Sequence, residues 1–266
     1  MHKPVLLIRA EGNEGDAAAI EALGFTTEAD PYLSITAVPG QAGFDAAAAL
    51  LTDLDSLGEG DWLIATSLNG LKFWGMTAWE LTVSQGAGRS AVAEGMAAAA
   101  KRGVRFAAIG KVTAQKYSQF GIDDVFVPSA AYGEALAAEL IAEAGSGPHR
   151  ALIPAGNLAM QTLTDLLTEA GWEVISHVIY ETAPVAVTPQ SAAGVAAGEY
   201  SAVVLRSPSA ARALFEIAGN VNVPVVCGGR TTGAEAARLG ICTVCVAVSP
   251  TPENLALTVK NLLEGN

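Results

Sequence analysis

Trp172–Thr182, WEVISHVIYET, decides the fold, because the chain arrives at such a stretch twice. It follows Ala151–Gly171 (ALIPAGNLAMQTLTDLLTEAG), which reads as an apolar strand, a Gly-containing turn and an amphipathic helix that stops at Gly. Val5–Gly24 (VLLIRAEGNEGDAAAIEALG) has the same plan, and it too runs into an extended segment, Phe25–Val38 (FTTEADPYLSITAV). Self-similarity of this kind predicts a duplicated architecture.

The repeat continues outward from there. Asp61–Gly70 (DWLIATSLNG) matches Tyr200–Ala210 (YSAVVLRSPSA), a strand ending in a Ser-containing turn. Phe106–Ile122 matches Val225–Ile241, with Gly110, Thr113 and Gly121 opposite Gly229, Thr232 and Gly240. Val125–Leu140 then matches Val244–Val259. From Gly110 to Glu134 and from Gly229 to Glu253 the offset holds at 119 residues. Strand, Gly- or Ser-rich turn and helix alternate along both halves, which predicts α/β domains with parallel sheets covered on both faces. Ser67 to Gly110 spans 43 positions and Ser207 to Gly229 only 22, so the first half carries an insertion within Lys72–Arg102.

A length of 266 residues, 51% of them hydrophobic, suffices for two cores. Val5–Ile8, Ala202–Leu205 and Val223–Cys227 are short apolar runs between turn residues, as strands buried on both faces are. Ala-rich Ala46–Leu51, Ala91–Ala100 and Ala135–Ala142 read as helices. No apolar run approaches the roughly 18–20 residues that span a bilayer. MHKPVLLIRAEG reads as a first strand and not as a signal peptide, so the expected location is the cytoplasm, with no membrane partner. A net charge of −12 argues against a nucleic-acid partner, which would need clustered Lys and Arg.

No metal site is expected. Cys242 and Cys245 have C-x-x-C spacing, but on a strand positions three apart face opposite sides. With Cys227 they read as structural thiols. His2, His149 and His177 lie far apart, and His149 reads as a surface loop residue. Gly86-Ala-Gly88-Arg89 follows no convincing strand, so no dinucleotide cofactor is inferred, and Trp74 and Trp79 read as helix-packing residues. What remains is a set of strand-end turns: Arg9–Gly12, Thr66–Gly70, Gly110–Thr113, Pro154–Asn157, Arg206–Ser209 and Gly229–Thr232. Strand carboxyl ends are where open α/β sheets bind ligands, and their N–H groups and hydroxyls suit anions. The residues alone lead to an anion-tolerant cleft between domains.

These motifs resemble uroporphyrinogen-III synthase. The similar features are strand-TS-x-N-G at Thr66–Gly70, IG-x-x-TA at Ile109–Ala114, P-x-x-YG-x-x-L at Pro128–Leu136 and strand-P-x-G at Ala151–Gly156. Tyr180 and Thr182, SPSA at Ser207–Ala210, G-x-TT at Gly229–Thr232 and SPTPENL at Ser249–Leu255 continue the series over nearly the whole chain. The resemblance implies two flavodoxin-like domains joined by a two-stranded connector, the chain crossing twice. Residues near 1–35 would join residues near 179–266, residues near 39–174 would form the other domain, and Tyr32–Val38 and His177–Val185 would be the connectors.

It also implies cyclisation of linear hydroxymethylbilane to uroporphyrinogen III, with ring D inverted and water lost, by a monomer that needs no metal or organic cofactor. The substrate would be handed over by porphobilinogen deaminase. Carried over motif by motif, Tyr180 is the candidate catalytic hydroxyl donor, against a second reading as a connector packing residue. Arg9, Thr66, Ser67, Asn69, Gly110, Thr113, Gly156, Arg206, Ser207, Ser209, Gly229, Arg230 and Thr232 are the candidate substrate contacts. The chain departs from the family at Ala10, where Pro is usual, and at Ala155, where Arg is usual; Arg206 and Arg230 are the expected replacements for that charge. The alternatives are a catalytically silent ligand-binding or regulatory member and a periplasmic-type solute binder, the latter requiring export.

Overall fold

The computed structural model describes residues 3–84, 90–158, 161–241 and 243–265. The chain opens with β1 (Val5–Leu7), α1 (Glu14–Glu21), β2 (Thr27–Ala29) and β3 (Leu33–Ala37). There follow α2 (Gly40–Ser56), β4 (Trp62–Ala65), α3 (Leu68–Ser84), α4 (Ala91–Lys101), β5 (Arg105–Ala108), α5 (Lys111–Ser118), α6 (Gly133–Ala144), β6 (Arg150–Gly156), α7 (Gln161–Glu169) and β7 (Glu173–Pro184). α8 (Ser191–Ala197), β8 (Ala202–Leu205), α9 (Pro208–Ala218), β9 (Val225–Cys227), α10 (Arg230–Arg238), β10 (Val244–Val246) and α11 (Pro252–Glu264) complete it.

Two compact units result: Met1–Ile35 with Ala183–Asn266, and Thr36–Thr182. The first sheet has the order β10-β9-β8-β1-β2 and the second β3-β7-β6-β4-β5. Read from its other edge, the second sheet repeats the first: β5, β4, β6 and β7 stand where β9, β8, β1 and β2 stand. Phe126 bridges Ala107 in parallel, in the place β10 takes beside β9. The pairs β1–β2, β1–β8, β8–β9, β4–β5, β4–β6 and β6–β7 are likewise parallel. β3 is the addition. Val38 donates to the Ile179 carbonyl and Val185 to that of Tyr32, both at 3.1 Å. One index rises as the other falls, so β3 and β7 run antiparallel.

Alternation within β1, β4, β8 and β9 explains why all their residues are buried. Leu6, Val203, Leu205 and Cys227 face one helical layer of the first unit, and Val5, Leu7, Val204 and Val226 the other. In the second unit Leu63 and Ala65 face the side of α2, α3 and α4, while Trp62 and Ile64 face that of α6 and α7. Each strand therefore removes apolar surface from water on both sides, at about 25 cal/mol per Å². The repeat reaches the backbone angles: Gly24 and Gly171 follow their helices at φ 88° and 89°, Gly121 and Gly240 at 80° and 82°. These are left-handed positions, where a side chain would be strained.

Some expectations change. The insertion lies where expected and consists of the extension of α3 and the whole of α4, against the single α9 in the first unit. Trp74 is fully buried and its indole N–H donates to the Ala47 carbonyl at 3.3 Å, but Trp79 is 47% exposed, so only the first is a packing residue. His149 lies in a loop but is half-buried and engaged: its ring nitrogens bond the Gly60 and Ala144 carbonyls at 2.9 and 3.1 Å, and the ring lies 4.9 Å from that of Trp172. His2, Gly86–Arg89 and Cys242 fall outside the described residues; Cys227 is buried and Cys245 half-buried on β10. No helix among the described residues is long and apolar enough to cross a membrane.

Candidate functional site

In the second unit the turns after β4 and β6 meet the stretch of β7 around Tyr180. Beyond β4 the chain passes through Thr66 and Ser67 into α3, and the Ser67 side chain caps the helix, accepting from the Asn69 N–H at 3.1 Å. Gly70 brings this first turn onto β6, since a Cβ there would lie 2.3 Å from the Pro154 carbonyl oxygen. Gly156, at the end of β6, does the same for Tyr180: its Cβ would stand 2.4 Å from Tyr180 Cζ and 2.8 Å from the phenol oxygen. Phe73, from the second turn of α3, stacks on the phenol ring with centroids 5.8 Å apart and planes at 24°.

The backbone beneath the ring is tied down. Asn157 donates its N–H to the Tyr180 carbonyl at 3.1 Å, and its side chain clasps Thr182 through the N–H (2.8 Å) and the carbonyl (3.2 Å). The β6–β7 register slips by one residue here: Ala155 pairs with Val178 but Gly156 with Tyr180. Ile179 and Tyr180, neighbours in sequence, consequently pack toward the same helical layer. Burial pushes the phenol pKa up. Asn69, also in this turn, keeps its Oδ1 buried without a hydrogen bond from any described residue. Gly110 caps α5 in an extended conformation, and Thr113 is buried in that helix's first turn.

The first unit holds the other group of candidates. Arg9 turns back to the Gly12 carbonyl at 3.0 Å. Arg206 donates to the Pro250 carbonyl, and its Nε lies 3.5 Å from Asp16 Oδ2. That is an ion-pair distance and too long for a good hydrogen bond, in keeping with Asp16 Oδ2 accepting none from the described residues. Burial pushes the Asp16 carboxyl up, more than Arg206 and Arg9 pull it down. Ser207 caps α9 through the Ala210 N–H at 3.2 Å and shares a hydrogen bond with Ser209 at 2.9 Å. Gly229 caps α10 with the same angles as Gly110, φ −169° and ψ 169°, and Thr232 matches Thr113 in being buried. Arg230 is exposed and has no hydrogen bond or ion pair among the described residues. It lines a cavity of about 640 Å³ with Gly228, Gly229, Ser249 and Pro250.

Two arginine readings therefore part ways. Arg206 is already engaged inside the unit, whereas Arg230 is open. Ala155 is 2% exposed in the core beneath α6 and α7, so an arginine at that position of this chain would be buried and would not reach a ligand. Asp16, Phe73 and Asn157 were missed as site residues. Asp16 reads in sequence as an ordinary first-turn acid, Phe73 falls in the inserted segment, and only the N of the Pro154–Asn157 turn hinted at a clasp.

The family model described as Uroporphyrinogen-III synthase HemD matches residues 15–256. The chain belongs to the uroporphyrinogen-III synthase family. It is accordingly an enzyme of tetrapyrrole biosynthesis. No curated protein sequence matches it significantly. Among solved structures it is similar to a mutant uroporphyrinogen III synthase from the extreme thermophile Thermus thermophilus, with TM-score 0.60 and 18% identity over 98% of this chain and 100% of that one. The uroporphyrinogen-III synthetase of Helicobacter pylori is similar with TM-score 0.59 and 13% identity over 98% and 99%. At such identities the likeness speaks for the fold, and it bears out the two-domain, parallel-sheet α/β architecture.

Proposed function

We propose that this chain cyclises linear hydroxymethylbilane to uroporphyrinogen III, inverting ring D and releasing water. The observation that carries the reading is the phenol of Tyr180, held by Phe73, Gly156 and Asn157, in a chain of this family. As the C–O bond of the hydroxymethyl group breaks, the pyrrole nitrogen supplies the electron pair and the Tyr180 proton leaves with the oxygen as water. The azafulvene-like cation is attacked by the substituted ring-D carbon to give a spiro intermediate; the bond from that carbon to the ring-C methylene then breaks, and the methylene bonds the free α-carbon of ring D, which inverts the ring. The proton that the closing rings later shed restores the phenol.

The nitrogen drives departure, so the protein's larger task is positioning. In this reading the substrate carboxylates meet the N–H groups of the turns at Gly110 and Gly229 and the hydroxyls of Thr66, Thr113, Ser207, Ser209 and Thr232. Arg230 is the open guanidinium for a two-pronged carboxylate grip, and Arg9 lies in the matching turn after β1. The enzyme works as a cytoplasmic monomer on bilane handed over by porphobilinogen deaminase, without metal or organic cofactor.

Coupling the protein to porphobilinogen deaminase and separating the porphyrin isomers tests this. The protein should turn the product from type I to type III, and Tyr180→Phe should lower kcat roughly 10- to 100-fold, the low end for a positioned acid because a phenol titrates near pH 10. Type I alone at high protein concentration would overturn the reading in favour of a ligand-binding member.

A further inference from the structure

We propose that Arg206 is a strap that sets the spacing of the first unit's carboxylate-binding turns, with Asp16 as the counter-ion that holds it in place. This rests on the reading of the strand-end turns given above. It makes Arg206 a positioning residue and not the substrate contact that the family resemblance implies.

Arg206 stands at the carboxyl end of β8, and its side chain has partners on both sides of that strand. Toward β1, its Nε lies 3.5 Å from Asp16 Oδ2, in the first turn of α1. Toward the other edge, it donates to the Pro250 carbonyl, in the turn after β10. Its Cδ lies 3.6 Å from where a Cβ on Gly228 would stand, at the end of β9. β10, β9, β8 and β1 are neighbours in that order. One side chain therefore ties the carboxyl ends of four consecutive strands.

Gly228 and Pro250 also line the cavity of about 640 Å³ at which Arg230 stands open, so the strap is part of its frame. The Arg206 guanidinium faces a carboxylate that is 2% exposed, and water screens such a pair little. The rigid fork of a guanidinium points its N–H groups in separate directions, so it can serve both ends at once. Turns fixed before the ligand arrives need not be ordered by it, which favours affinity. The second unit supplies the contrast. Thr66 stands where Arg206 does and is too short to span strands; there Gly70 lets its turn touch the Pro154 carbonyl directly, where the first unit has Ala210.

The test is the KM for hydroxymethylbilane, supplied directly and read at several salt concentrations. Arg206→Met is made together with Asp16→Asn, which keeps the net charge and leaves no buried charge alone. This double variant should raise KM about threefold to tenfold, the worth of one hydrogen bond, at unchanged kcat and unchanged salt dependence. Asp16→Asn alone, which loosens the guanidinium, should raise KM about twofold to threefold. Arg206→Lys, a point charge in place of a fork, should bind no better than the double variant. An unchanged KM in the double variant would overturn the strap. So would a weakened salt dependence, or a Lys variant with wild-type KM, because both mark a cation that grips the substrate itself. Should the wild type make type I alone, the cyclising activity fails, and calorimetric binding of uroporphyrin III to the same variants takes the place of KM. A dissociation constant that does not rise across them, or a wild type that binds none, would then overturn the strap by itself.

Discussion

The two units share strand order, turn glycines and capping serines, yet each treats its buried polar groups differently. In the second unit Asp61 accepts from the N–H groups of Gly58 and Arg150, both at 2.9 Å, and from the Arg150 guanidinium at 2.8 Å. In the first unit Asp16, buried more completely, has among the described residues only an arginine at 3.5 Å as a side-chain partner. Burial pushes both carboxyls up, but at Asp61 the hydrogen bonds win and hold its pKa below the ordinary value, whereas at Asp16 burial wins. A duplicated frame thus copies the backbone faithfully and leaves side-chain electrostatics to be settled separately in each copy.

The largest break in that comparison should come from Asp61→Ala. It leaves two backbone donors unpaired and the Arg150 guanidinium with only its bonds to Ser56, and should cost about 2–4 kcal/mol in urea unfolding. Next comes Gly156→Ala, whose Cβ would stand 2.4 Å from Tyr180 Cζ, whereas the matching position of the first unit, Ala10, already carries a Cβ. Forcing the phenol aside should cost about 1–3 kcal/mol by overpacking and bring kcat down as far as Tyr180→Phe does. A folded Gly156→Ala enzyme with full activity would show that the ring position is not needed.

The smallest effect carries the sharpest sign. A carboxyl raised in the folded state contributes stability fully below its unfolded value of 3.8 and loses it as pH rises through the folded pKa. At neutral pH the Asp16 charge is thus a net cost. Asp16→Asn should match or slightly exceed wild-type stability at pH 7, by less than about 1 kcal/mol, and lose any advantage below pH 3.8. Asp61 behaves oppositely: its contribution is present above 3.8 and lost as pH falls through its lowered pKa. Urea titrations of the two variants across that range should diverge, and parallel curves would erase the distinction.

The frame was legible because its signals are local. Apolar runs of four residues, a glycine after each helix and a constant offset between Gly110 and Gly229 can each be read within a short window. The pairing of Arg206 with Asp16 could not be, since it joins the first turn of α1 to the end of β8, and a guanidinium at a strand end reads equally as a ligand grip. Trp79 was misjudged for a related reason: an aromatic on a helix announces burial, but whether a partner covers it depends on elements elsewhere. The phenol clamp was half visible. Tyr180 stood out through its motif, but Phe73 and Asn157 reach it only through the meeting of α3, β6 and β7.

The slipped register between β6 and β7 makes the phenol a matter of counting. Along a regular strand Ile179 and Tyr180 would point to opposite layers. With one extra residue on β7, both reach the layer that holds α3 and Ser67. Deleting a single residue from the segment before Ile179 would change neither the composition of the strand nor its hydrophobicity very much. It would nevertheless hand Glu181 the place of Tyr180 opposite Gly156. A sheet could therefore move this phenol out of its clamp by one codon, with every residue around it still encoded.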